Sequence, residues 1–120
     1  MINIKNLRKD RPNTEFDIRV DRSSVLGNPF HLTKQTTRKE VIAKYKQWLN
    51  REFFTNHNQP VKDELLRIAK LAKYNNINLF CWCYPLPCHA EVIRDFINEH
   101  LLDPSYSDKL YPINLQHIEI

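Results

Sequence analysis

Glycine is nearly missing: Gly27 is the only one in 120 residues. Phosphate loops of the dinucleotide-binding and P-loop kinds need several glycines at fixed spacing, because their backbone amides wrap closely around the phosphates. Those two nucleotide sites are excluded. Long apolar runs are missing too. None approaches the ~20 residues that cross a bilayer, and no charged segment followed by an apolar one opens the chain as a secretory signal would. The expectation is a cytoplasmic protein with no membrane partner. Cysteine is scarce and odd in number, three in all. In a reducing cytosol such a cluster reads as thiols or metal ligands rather than as a disulfide framework. Excess charge is slight, with 18 basic against 14 acidic residues and a net +4. That permits a nucleic acid or other anionic partner without demanding one.

What is present is ordinary for a globular chain: 42% hydrophobic and 27% charged residues. The length fits one α/β domain, residues 1–120, with one modest core. Residues 2–7 and 16–20 alternate apolar and polar, the pattern of half-buried strands. Thr37 and Glu40 make a capping box in front of Val41, Ile42, Tyr45, Trp48, Leu49 and Phe53, which predicts a helix over 38–54. Pro60 opens a second helix to about Asn75, and Asn75-Asn76 ends it. Residues 77–83, INLFCWC, are a continuous apolar run of strand formers, as in a strand buried on both faces. A third helix is expected from about Cys88 to Leu102, and a last strand over roughly 113–119. Strands alternating with helices imply crossovers and parallel pairs. The expected fold is a small Rossmann-like three-layer sandwich, with a mostly parallel sheet of three to four strands and three helices.

In such sheets ligands sit beyond the carboxyl ends of the strands. Two irregular segments fall at those ends, 22-RSSVLGNPF-30 and 83-CYPLPCH-89, and parallel neighbours would bring them to one crevice. In the first, Gly27, Asn28 and Pro29 make a turn with accessible backbone. Arg22 offers a planar fork for a carboxylate or phosphate, and Ser24 and Asn28 offer polar contacts. The second carries Cys83, Cys88 and His89, with Cys81 two residues before Cys83 and therefore on the same strand face. Trp82 is expected on the opposite face, under a covering helix.

The cluster has two chemistries open to it. By count, Cys81, Cys83, Cys88 and His89 form a Cys₃His set for zinc, although neighbouring ligands at 88 and 89 diverge by about 100° on a helix. Alternatively, Cys88 at a helix N-terminus is a thiolate candidate with His89 as base or orienter, which makes this pair the candidate catalytic residues. Cysteines packed as small hydrophobes are the plain structural account, and it fits Cys81 best.

The two segments together, R-x-S-x-L-G-N-P-F (Arg22, Ser24, Leu26, Gly27, Asn28, Pro29, Phe30) and L-x-C-W-C-x-P-x-x-C-H (Leu79, Cys81, Trp82, Cys83, Pro85, Cys88, His89), resemble a small uncharacterised domain family of bacteriophages and bacteria over about residues 2–101. The resemblance implies that these residues form a shared signature and that the chain has a phage or prophage origin. It implies no reaction. Residues 102–120 lie outside it. The expected function is binding of a phosphate-bearing or nucleotide-derived ligand at Arg22, Ser24, Gly27, Asn28 and Cys83. The rival expectation is a non-enzymatic module with a structural zinc that binds a host protein or nucleic acid.

Overall fold

A computed structural model describes residues 1–102. Strand β1 is Ile2–Asn6 and strand β2 is Asp17–Arg19. Helix α1, Arg38–Asn50, starts where the Thr37 hydroxyl accepts the Glu40 amide at 3.2 Å, and it runs on through a π-helical turn, Arg51–Thr55. Helix α2, Gln59–Tyr74, has Pro60 in its first turn and Asn58 as its cap. Strand β3 is Ile77–Cys81. Helix α3, His89–Phe96, also continues as a π-helical turn, Ile97–Leu101. The Glu91 carboxylate accepts the Cys88 amide at 3.2 Å and so closes the start of α3. The expected strand at 113–119 lies outside the described residues. Among those described, no helix is long and apolar enough to cross a membrane.

The three strands form one parallel sheet in the order β1-β3-β2. The connection from β2 to its parallel neighbour β3 is the crossover through α1 and α2 that parallel pairing requires. The register sets Ile2 beside Ile77, and Ile4, Leu79 and Ile18 in one row. Because side chains alternate, these residues and Cys81 share a face. All of them belong to a single core cluster with Tyr45 and Leu49 from α1, Leu65 and Ile68 from α2, and Ile93 from α3. The other face carries Asn3, Lys5, Asp17, Arg19 and Asn78, with Phe80 buried outside that cluster. Four of its six side chains are polar or charged in the outer strands, which offer little apolar area to a covering helix. The small α/β architecture with three helices and a parallel sheet is therefore present, and helices from the core cluster meet strand side chains of one face.

Candidate functional site

Parallel strands end at one edge, so three connections gather there. The turn after β3 is tied to β1: Leu7 donates its amide to Cys81 O at 2.8 Å, and Asn6 Nδ2 donates to Tyr84 O at 2.6 Å. The Tyr84–Pro85 peptide in this turn is cis. Between the connection after β2, the connection after β3 and the first turns of α1 lies a cavity of about 270 Å³. That is close to the lower end of the range for small-molecule sites, roughly 300–1,000 Å³. Both sequence motifs line it. Arg22 and Asn28 come from the first, and Cys83, Cys88 and His89 from the second.

The wall from the first motif is stiff. Tyr45 on α1 donates its hydroxyl to Leu26 O at 2.6 Å, deep in the core. Ser24 accepts the Leu26 amide and donates to Asp21 O at 3.0 Å, so its hydroxyl holds the loop and does not line the cavity. Gly27 has no left-handed backbone angle. It is required by proximity: a Cβ there would lie 2.6 Å from Arg22 Cα and 2.7 Å from Asp21 O. Asn28 accepts the Phe30 amide at 2.8 Å through Oδ1 and is buried against the cavity. Arg22 was expected to grip an anion. Its guanidinium instead donates to the carbonyls of Asn28 and, at 3.1 Å, Phe30. It clamps its own loop, and its charge still stands at the cavity wall.

A second arginine, which sequence reasoning did not assign to the site, lines the same cavity. Arg38 is the first residue of α1, and it donates to Pro87 O at 3.4 Å across the cavity mouth. The signal that could have found it was its place: a basic residue directly after a helix cap, at the end of the motif-bearing connection.

Trp82 corrects an expectation. It was expected beneath a helix, yet it is 47% exposed and forms part of the cavity wall. Its indole Nε1 donates to Asp21 Oδ2 at 2.9 Å. Asp21 is buried, and it also accepts from Arg19 at 2.5 Å and from Ser23 at 2.6 Å. Burial alone would raise the Asp21 pKa. The hydrogen bonds from Arg19, Ser23 and Trp82 outweigh it and hold the carboxyl well below the usual carboxylate range. A fixed charge thus anchors one edge of a half-exposed ring.

The floor holds the thiol–imidazole pair. Cys88 and His89 are both buried. His89 Nε2 meets the Val20 carbonyl, which can only accept, so Nε2 carries the hydrogen and Nδ1 keeps its lone pair. Nδ1 lies 3.5 Å from Cys88 Sγ. Burial pushes the His89 pKa down, so the ring is neutral and suited to accept a proton from the thiol. Tyr45 packs edge-on against it, with ring centroids 5.2 Å apart. Cys81 stands behind Cys88 in the core, and the interaction of the two thiols pushes the Cys81 pKa down and, together with burial, the Cys88 pKa up.

Among the described residues, no group of three or more His, Cys, Asp or Glu side chains is placed to hold a metal. The four-residue zinc set does not assemble. Val20 O engages His89 Nε2, Cys81 is fully buried, and Cys83 lies on the cavity wall. Of the residues selected from sequence, Arg22, Asn28, Cys83, Cys88 and His89 meet at the cavity, while Ser24, Gly27 and Cys81 stand behind its walls. The chain belongs to the family described as Domain of unknown function (DUF4326), whose model matches residues 2–99. No curated protein and no solved structure matches it.

Proposed function

We propose that this family member binds a small phosphate-bearing or nucleotide-derived ligand in the cavity between the two motifs. One observation carries the proposal: two guanidinium groups, an anchored indole and a neutral thiol–imidazole pair converge on one space. Arg38 and Arg22 supply positive charge for a phosphate. Trp82 supplies a flat apolar surface for a base or ribose. Asn28 supplies a polar side chain whose Nδ2 makes no hydrogen bond among the described residues. A crevice at the carboxyl edge of a parallel sheet is also where a Rossmann-like domain keeps its ligand, and that finer view of the fold is part of the proposal. If the bound molecule reacts, Cys88 is the nucleophile and His89 the base that takes its proton, with Val20 O fixing the tautomer. In a phage setting the ligand would come from the host cytoplasm.

Calorimetry with a panel of nucleoside mono-, di- and triphosphates and the matching nucleosides tests this. Phosphorylated members should bind and nucleosides should bind at least ~10-fold more weakly, the loss of one charge-assisted contact. Arg38→Ala should remove most of that difference. A complete lack of binding across the panel would defeat the proposal.

A further inference from the structure

The cavity opens onto an edge of the sheet whose charge is unlike that of the rest of the molecule. The segments that leave β1 and β2 at this edge, residues 7–11 and 20–38, carry six basic side chains, Arg8, Lys9, Arg11, Arg22, Lys34 and Arg38, against two acidic ones, Asp10 and Asp21. One of the two acids, Asp21, is buried and paired with Arg19. Arg8, Lys9, Arg11 and Lys34 are exposed. Arg8 and Lys9 stand at the end of β1: Lys9 and Asp10 donate their amides to Asn6 O, and the same Asn6 holds the turn at Tyr84 through its side chain.

Large exposed apolar side chains gather at the same edge. Trp82, Tyr84 and Leu86 stand on the turn after β3, and Leu32 stands on the connection after β2. Trp82 is the informative one. A half-exposed indole that merely covers core needs no partner, yet this ring is fixed by a buried carboxylate that Arg19 and Ser23 hold ionised. A fixed aromatic face bordered by cations is the arrangement on which bases of a single strand stack while the phosphates follow the charges. A duplex would present its bases already stacked and closed to Trp82, and an acidic peptide would have no use for the ring's face.

From this juxtaposition we infer that the carboxyl edge of the sheet is a single-stranded nucleic-acid interface, with one nucleotide of the strand seated in the cavity over Trp82 and the neighbouring phosphates on Arg8, Lys9, Arg11 and Lys34. The inference rests on the proposed nucleotide-binding cavity and names the form in which its ligand arrives. The strand is taken up without covalent change.

Fluorescence anisotropy with a labelled fifteen-residue oligothymidylate tests it, beside the same strand annealed to its complement, free thymidine monophosphate and polyglutamate of equal length. The single strand should bind most tightly. Its affinity should fall with salt at a log–log slope of about −2 or steeper, from three or more phosphates at ~0.7 each. Trp82→Ala should weaken it by about tenfold or more, and Trp82→Phe by less. The exposed pair Arg8→Glu with Lys9→Glu, remote from the core, should weaken it and flatten the salt slope even if Trp82→Ala proves unstable. Binding of thymidine monophosphate without binding of the strand overturns this inference and leaves the cavity proposal standing. Failure of both ligands defeats both. Equal binding of duplex or polyglutamate also overturns it, because the surface would then read charge alone.

Discussion

Replacing Gly27 with alanine adds one methyl group where the protein has no space. The new carbon would lie 2.6 Å from Arg22 Cα and 2.7 Å from Asp21 O. Ordinary contact between such atoms is about 3.5–4.0 Å, so the overlap is roughly 1 Å. Both obstructing atoms are backbone, and no rotamer change relieves the clash. The connection after β2 must move instead, against the Tyr45–Leu26 bond, the Ser24 bonds and the Arg22 clamp. Overpacking of this kind costs about 1–3 kcal/mol. In an unstrained site the same change would stabilise by about 0.4–1 kcal/mol, because alanine restricts the unfolded chain. The sign of the effect therefore decides the matter. Urea unfolding should show Gly27→Ala with a midpoint lower by roughly 1 M, taking about 2 kcal/mol and a slope near 2 kcal/mol/M. Val25→Ala, two residues away and half exposed, should stay within about 0.5 kcal/mol of the parent. Ligand affinity should fall with Gly27→Ala as well, since Asp21 and Arg22 form part of the cavity wall. A midpoint equal to or above the parent's would refute the close approach and, with it, the account of why the chain keeps its single glycine.

Two further expectations concern the cavity floor. Burial holds the folded His89 pKa below its unfolded value, so below about pH 6.5 the unfolded chain binds the extra proton first. The His89 contribution to stability is therefore complete above that pH and is lost as the pH falls toward the folded pKa, at no more than about 1.4 kcal/mol per pH unit. Urea midpoints from pH 7.5 to 5.5 should decline more steeply for the parent than for His89→Gln, and parallel profiles would contradict the buried neutral ring. Thiol titration with an aromatic disulfide should find Cys83 reacting first and Cys81, which does not line the cavity, slower by about 100-fold because it needs local opening. Three thiols of equal rate in the native protein would show that the Cys81–Cys88 pair is not packed as described.

Much of the site was legible because its parts are local. The capping pair Thr37 and Glu40, the alternation of Ile2 and Ile4, and the strand–turn–helix around Cys83 to His89 all depend on residues within a few positions of one another. Parallel pairing then places the two motifs at one edge, so their meeting at a cavity could be anticipated. Individual roles were less legible. Arg22 looked free to bind an anion, but the carbonyls of Asn28 and Phe30 reach its guanidinium only once the loop has curled. Trp82 looked buried by strand parity, but β3 ends at Cys81, and the turn carries the ring out to the edge.

By itself the sequence determined the element order, the single modest core, the exclusion of glycine-rich phosphate loops and the two segments that matter. Those follow from periodicity, caps and composition, which act over one or two turns of chain. Only the tertiary structure decided which of those side chains line the cavity and which stand behind its walls. The Trp82–Asp21 bond joins residues 61 apart, and the His89–Val20 bond joins residues 69 apart. The placement of Cys81, Cys83, Cys88 and His89 relative to one another turned on the same long-range contacts. The Val20 carbonyl occupies one ring nitrogen of His89, and core packing draws Cys81 behind Cys88. No local pattern encodes a partner that distant, because it is the closure of the whole chain around its core that brings the two together.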